Sequence, residues 1–189
     1  CRYVKKITRL PLVTHQRTQF DDNYFHSDLD AADRIVAVSR FVHQGLPAEL
    51  RGKATAVLNP VDPPRKDLPE QTGPVRVLGM AGRCNRTKGT DLFMQAAMPL
   101  LERDPELRIE VWGVGQGEFA QSIRRTVQDA PEDVGRRVDL QPFRPDIENF
   151  YKNVDVVVVP SRVMEGMGRV PVEAMLHRRP VVVAAHGGL

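Results

Sequence analysis

Cysteine is scarce in this chain of 189 residues: Cys1 and Cys84 are the only two. Two such isolated thiols form neither a disulfide framework nor a metal-ligand set, so a reducing compartment is the expectation. No apolar run approaches the roughly 20 residues that a membrane-spanning helix needs. A secretory signal pattern is not legible at the start of the sequence either. The five histidines share no recurrent spacing, and no zinc pattern emerges from them. Gly-x-Ser-x-Gly and the P-loop are missing, which sets aside the nucleophile-elbow hydrolases and the P-loop NTPases. Aromatic residues make up only 6% and are nowhere interleaved with basic ones, so nucleic-acid binding has no support.

What is present is ordinary for a globular protein. Hydrophobic residues are 41% and charged residues 27%, enough to build a core and a wet surface. Fifteen prolines and fourteen glycines imply many short loops. A net charge of +3 with a pI near 9.1 suits an anionic ligand, and it is equally what a solvated basic surface would show. A cytoplasmic protein is expected, with peripheral contact at the inner, anionic face of a membrane compatible with that charge. Both ends read as cut: the chain begins at Cys1, and Leu189 follows directly on a strand and a glycine turn. An excerpt of a longer protein is the expectation.

The most informative stretch runs from Val154 to Gly188. Val156 to Val159 is a continuous apolar run suited to a strand buried on both faces of a parallel sheet. Pro160 and Ser161 end it, Glu165-Gly166-Met167-Gly168 forms a loop, Val170 to Leu176 reads as a helix, and Pro180 to Ala185 as another strand. Strand, glycine loop, helix, strand is a βαβ unit, and ligands gather beyond the carboxyl ends of such strands.

Upstream, residues 1–58 offer fewer elements. Residues 1–10 are a basic helix or arm, Pro11 to Thr14 a strand leading to His15, and 16–30 a polar, irregular stretch with turn chemistry at Asp21, Asp22 and Asn23. Arg34 to Ser39 is a strand pattern, and Ser39 can cap a helix from Arg40 to about Gly45. These read as the last βα units of a first domain, followed by a Pro- and Asp-rich linker at 59–74. Residues 75–189 then alternate regularly. Strands are expected at 75–80, 107–112 and 138–141, and helices at 90–103, 118–129 and 146–152. The 90–103 helix has Leu92, Phe93, Ala96, Ala97, Leu100 and Leu101 at helical spacing. The fold class expected is α/β, a Rossmann-like doubly wound parallel sheet.

Candidate site residues sit on the loops of that sheet. Arg83 and Lys88, in AGRCNRTKG, can grip phosphate by paired hydrogen bonds and a point charge; they can also be solvated loop cations. Glu165 and Glu173, eight positions apart around the glycine loop, can accept bonds from sugar hydroxyls, or serve as surface carboxylates. Backbone amides where the loop meets the helix favour phosphate. Gly113-Val114-Gly115 matches part of a dinucleotide fingerprint, and a tight turn explains it equally well. His15 is a general base, a sugar contact or an exposed histidine.

Together these blocks resemble glycosyltransferase family 4, the retaining GT-B enzymes of group 1, over about residues 31–189. VLGMAGRCNRTKGTDLFMQA resembles the family's "GR…KG" block, and VPSRVMEGMGRVPVEAMLHRRPVVVAAHGG its Glu-x7-Glu block. AADRIVAVSRF resembles the end of the N-terminal domain, and VLNPVD the interdomain linker. The sequence departs from the family at Asn59-Pro60, where Asn-Gly is usual, and at His177-Arg178-Arg179, which replaces a common small-residue and glycine segment.

The resemblance implies a retaining transfer of a sugar from a nucleotide-diphosphate sugar to a saccharide or glycolipid acceptor, in bacterial polysaccharide, lipopolysaccharide or glycolipid synthesis. By the resemblance, Arg83 and Lys88 bind the diphosphate, Glu165 the donor sugar, and Glu173 the ribose. Amides over Gly166, Met167, Gly168, Arg169 and Val170 meet sugar and phosphates, the Gln141–Phe143 loop lies near the base, and His15 near the anomeric centre. No cofactor and no metal are expected, since cations and amides answer the leaving group's charge. The beginning of the family's N-terminal domain is absent, so the chain as it stands is expected to be inactive. Two other readings stay open: a nucleotide-binding module without catalysis, and a GT-B epimerase or phosphorylase.

Overall fold

A computed structural model describes residues 2–8, 10–18, 26–65 and 67–189. The turn chemistry read at Asp21, Asp22 and Asn23, and the state of Cys1, lie outside the described residues. The chain separates into two compact units.

The first unit comprises Cys1–Pro60 with Met164–Gly168 and Ala185–Leu189. It holds α1 (Arg2–Thr8), β1 (Val13–Gln16), α2 (His26–Ala31), β2 (Arg34–Ala37), α3 (Arg40–Gln44), α4 (Ala48–Arg51) and β3 (Ala54–Ala56). The strands form one parallel sheet in the order β1-β2-β3. Ser39 caps α3 as expected, its hydroxyl accepting from Val42 N at 3.1 Å. Leu29, Ile35, Leu46 and Leu50 make one small core, and Ala37, Val38 and Val42 another.

Helix α2 corrects the irregular reading of 16–30. Its sequence, HSDLDA, has too few apolar positions for a periodic signal. Leu29 is nevertheless buried to 2% exposure. The carbonyls at the helix end are answered from a distance: Lys5 Nζ donates to Ala31 O, and Lys53 Nζ to Asp30 O and Ala32 O, at 2.8–2.9 Å. Asp33 accepts from Leu12 N at 2.7 Å and Lys5 Nζ at 2.6 Å, which holds its carboxyl below the usual range.

The second unit comprises Val61–Val163 and Arg169–Ala184. Its strands are β4 (Val77–Ala81), β5 (Arg108–Trp112), β6 (Val138–Gln141), β7 (Val156–Val159) and β8 (Val181–Val183). Its helices are α5 (Thr90–Arg103), α6 (Glu118–Gln128), α7 (Glu132–Gly135), α8 (Glu148–Asn153) and α9 (Arg169–Leu176). All strands are parallel, in the order β6-β5-β4-β7-β8, and β7 is interior as its apolar run requires. The order reverses at β4, so the sheet is doubly wound with its switch point between β4 and β7.

Both faces are covered. One core joins Met80, Phe93, Met94, Leu101, Ile109, Val111 and Ile123 beneath α5, α6 and α7. The other joins Ala81, Trp112, Phe150, Tyr151, Val157 and Ala174 beneath α8 and α9. Helix α5 spans the expected residues, but its buried face is Thr90, Phe93, Met94, Ala97 and Leu101. Leu92, Ala96 and Leu100 lie one i+4 row away and face solvent, which corrects half of the expected apolar stripe.

Among the described residues the stretch 61–74 has no helix or strand, but it is tied to this unit. Arg65 pairs with Asp146 and with Glu148, and Leu68 packs against the second core. Arg179, only 7% exposed, donates to Tyr151 O at 2.7 Å and to Pro69 O at 3.0 Å. A buried guanidinium is tolerated there because it meets backbone carbonyls near the end of α8.

Candidate functional site: the crevice at the carboxyl edge of the five-stranded sheet

The strand reversal leaves a crevice past the ends of β4 and β5. A cavity of about 390 Å³ lies there, lined by Gly82, Arg83, Trp112, Gly113, Phe143, Arg144, Arg169, Val170 and Glu173 among others. Its floor depends on a backbone crossing. Gly113 has φ +99°, and a Cβ on it would meet Gly82 O at 2.0 Å, so the two strand ends can approach only without a side chain. This close approach is the physical reason for the first glycine of Gly113-Val114-Gly115; a Cβ on Gly115 would meet nothing within 4 Å.

Arg83 follows this floor and is exposed, with no side-chain hydrogen bond or ion pair among the described residues. Its loop is braced. Asn85 caps a 3-10 turn at Arg86–Lys88, accepting from Lys88 N at 2.9 Å. Arg162, on the loop after β7, donates to Arg86 O at 3.0 Å and pairs with Asp91, holding the Asp91 carboxyl below its usual range. Lys88 ends that turn, half-buried, outside the residues that line the cavity. Cys84 beside it is a free thiol, pushed upward in pKa by burial, so it has little thiolate character.

Glu173 is on α9, one turn past Arg169. Its Oε1 lies 3.1 Å from Arg169 Nη2, and its Oε2 accepts from Tyr151 Oη at 2.9 Å. Burial, and then the Glu173 charge, raise the Tyr151 phenol well above its ordinary value, so it stays a donor. Tyr151 itself is wedged, stacked on His177 at 4.5 Å and edge-on to Phe150 at 5.2 Å. The His177 Nδ1–H donates to Glu173 O at 2.7 Å. A carboxylate held by two partners keeps lone pairs for a ligand hydroxyl. The backbone N–H groups of Arg169 and Val170, in the first turn of α9, have no partner within the helix. Pro171 in the same turn has no N–H to leave unmet.

The other wall is aromatic and cationic. Phe143 is 81% exposed, a large apolar ring left in the open. The Arg144 guanidinium lies 5.5 Å from the centroid of the Trp112 ring. Trp112 donates through Nε1 to Glu110, whose carboxyl is pushed up by burial.

Of the residues singled out in the sequence, Arg83, Phe143, Arg169, Val170 and Glu173 come together in this one cavity. His15, Glu165, Gly166, Met167 and Gly168 belong to the first unit. There His15 is exposed on β1, in register with Val36 of β2. Gly166 is required by packing: a Cβ would meet Arg17 O at 2.1 Å and Val38 at 3.2 Å. Gly188 N donates to Glu165 O at 2.7 Å, and Asn59 N lies 3.2 Å from Met167 Sδ.

Trp112, Tyr151 and Arg144 were not read from the sequence as site residues. Trp112 carried a usable signal, being the chain's single tryptophan at the end of a strand directly before a glycine. Tyr151 and Arg144 carried none. The described residues contain no group of three or more His, Cys, Asp or Glu able to hold a metal. The sequence's one Asp-x-Asp, Asp28-Leu29-Asp30, lies in α2. Among the described residues no helix is long and apolar enough to cross a membrane.

Comparisons with known proteins bear on the same region. The chain is 40% identical over 120 residues to D-inositol 3-phosphate glycosyltransferase 1 of Catenulispora acidiphila, covering 60% of this chain and 28% of that protein. It is 35% identical over 114 residues to the lipopolysaccharide core biosynthesis mannosyltransferase LpcC of Rhizobium leguminosarum bv. viciae, covering 59% of this chain and 32% of that one. This chain thus spans about a third or less of such relatives. Among solved structures, HepE of Anabaena in complex with UDP and glucose superposes with a TM-score of 0.75 at 22% identity, over 99% of this chain and 56% of that one. A glycosyltransferase from Rickettsia africae gives 0.72 at 18% identity, over 100% and 61%. Such neighbours show the fold, which is that of the GT-B glycosyltransferases. The profile of the family described as Glycosyl transferases group 1 matches residues 75–189, more than half of the chain, and the chain belongs to that family.

Proposed function

We propose that this chain carries the donor-binding side of a retaining glycosyltransferase that takes a sugar from a nucleoside-diphosphate donor. The observation that carries the reading is the switch-point cavity, which places a free guanidinium, a fixed carboxylate and an exposed aromatic around one space. These match three parts of a nucleotide sugar: diphosphate, ribose and base.

Arg83 answers the charge that develops on the leaving diphosphate, with Lys88 and the α9 amides in support and no metal required. Glu173, held by Tyr151 and Arg169, accepts from the ribose hydroxyls. Glu165 holds the transferred sugar, Gly166 to Val170 present their amides to sugar and phosphate, and His15 acts near the anomeric centre. These last roles and retention rest on the family resemblance. The acceptor is a saccharide or glycolipid, a reading supported by the similarity to a lipopolysaccharide core biosynthesis mannosyltransferase. A peripheral contact with an anionic membrane fits a glycolipid acceptor.

Calorimetric titration with UDP and GDP tests the reading. At least one should bind, and Arg83→Ala should weaken it by about 1.5–3 kcal/mol, typical of a charge-assisted bond. Binding of neither nucleotide, or equal affinity in wild type and Arg83→Ala, returns Arg83 to a solvated loop cation.

A further inference from the structure

Glu110 lies on β5 two residues before Trp112 and is 8% exposed. A carboxyl at that depth costs free energy unless it is bonded, and here it accepts the Trp112 Nε1 hydrogen. The indole N–H is the ring's only donor, so this bond selects which way the ring is turned. The ring packs against Phe150 at 5.7 Å and receives the Arg144 guanidinium at 5.5 Å. Arg144 is held from a second direction: its Nη2 donates to Gln141 Oε1 at 2.6 Å, and Gln141 Nε2 donates to the Asp139 carboxylate at 2.6 and 2.8 Å.

Two bonded paths therefore converge on Arg144, one from β5 through Glu110 and Trp112, the other from β6 through Asp139 and Gln141. Trp112 and Arg144 line the cavity, whereas Glu110, Asp139 and Gln141 do not. A guanidinium over an indole, next to an exposed phenylalanine, offers cationic and aromatic faces suited to stacking with a heteroaromatic base. It lies on the wall provided by Trp112 and the loop after β6, while the cationic loop after β4 provides Arg83.

We propose that Glu110 is a positioning residue for nucleobase recognition, acting through Trp112 to hold the Arg144 plate in the cavity wall. This rests on the nucleotide-sugar reading above. Glu110 touches no ligand atom. Its loss leaves the Trp112 N–H without an acceptor, and the ring and the guanidinium beside it lose their common orientation. Glutamine at 110 retains a carbonyl acceptor and preserves the arrangement; leucine does not.

The test uses the full chain and three probes: UDP, GDP and ribose 5-diphosphate, which lacks a base. Binding is followed by calorimetry and by the emission of Trp112, the only tryptophan. Glu110→Leu should weaken the preferred nucleoside diphosphate about tenfold, the scale of one stacking contact. The same variant should leave ribose 5-diphosphate within about twofold, and Glu110→Gln should bind all probes within about twofold of wild type. Equal weakening of base-bearing and base-free probes by Glu110→Leu means a general structural role and overturns the proposal. So does unchanged nucleotide affinity in Glu110→Leu, or failure of Glu110→Gln to restore it. If wild type binds ribose 5-diphosphate but neither nucleotide more tightly, base recognition is absent and the proposal falls while the phosphate site stands. If it binds none of the three, the nucleotide-sugar reading itself fails.

Discussion

The three-stranded and five-stranded sheets are both wholly parallel, and they differ in the order in which the chain lays down their strands. In the small sheet the order β1-β2-β3 follows the chain in one direction, and its outer strand β1 alternates between exposed and half-buried residues. In the larger sheet the chain starts in the middle, winds outward to β6, and returns to lay β7 on the other side of β4. The connections after β4 and β7 therefore depart to opposite faces, and the gap between them is open. Two cores, one per face, take up three of the five residues of β5, Ile109, Val111 and Trp112. The difference teaches that the cavity is a product of winding order. Its polar residues are functional candidates because the reversal brings Arg83, Arg144, Arg169 and Glu173 around one space.

The largest expected effect tests how far the two-faced core outweighs the small one. Phe150 is fully buried against Trp112 and Tyr151 and over β4, so Phe150→Ala should cost about 3–5 kcal/mol in urea unfolding. Leu46→Ala in the small unit removes a smaller side chain and should cost about 2–4 kcal/mol. A larger loss at Leu46 than at Phe150 breaks the comparison.

Next in size is the contrast between two glutamates of one sequence block that fall in different units. Glu173→Gln weakens one of the carboxylate's charged contacts, and should weaken free nucleoside diphosphate and intact nucleotide sugar alike, by about 1–2 kcal/mol. Glu165→Gln should spare the free diphosphate and weaken only the intact donor. Paired titrations decide the matter; equal weakening of both ligands by Glu165→Gln makes the division of roles wrong.

The smallest effect concerns Arg178, which adopts φ +58° at the end of α9. A side chain in the left-handed region costs about 1–2 kcal/mol, partly offset by the greater flexibility of glycine in the unfolded chain. Arg178→Gly should therefore raise stability by about 0.5 kcal/mol, seen as a higher urea midpoint at unchanged slope. A lower midpoint means that Arg178 makes a contribution greater than its strain.

Local chemistry was enough for much of the fold. The Ser39 cap, the Val156–Val159 strand, the Val138–Gln141 strand and the Thr90–Arg103 helix follow from hydroxyl geometry and hydrophobic period, which depend only on neighbours in sequence. The placement of Arg83 on the loop after β4, and of Glu173 in the helix after β7, is visible in the same way. Helix α2 was not legible, because Lys5, Lys53 and the burial of Leu29 support it from elsewhere in the chain. The side of α5 that faces the core was half misread, since apolar side chains on adjacent rows look alike until a sheet covers one of them.

The sequence by itself determined the alternation of strands and helices, and with it a doubly wound sheet and the edge where a ligand would lie. Only the tertiary structure decided which residues share that edge. Tyr151 reaches Glu173 across 22 positions and Arg179 reaches Pro69 across 110. Glu165 to Gly168 join a unit built mostly of residues 1–60. Such meetings arise from chain crossings and the burial of large surfaces, which no local window of sequence contains.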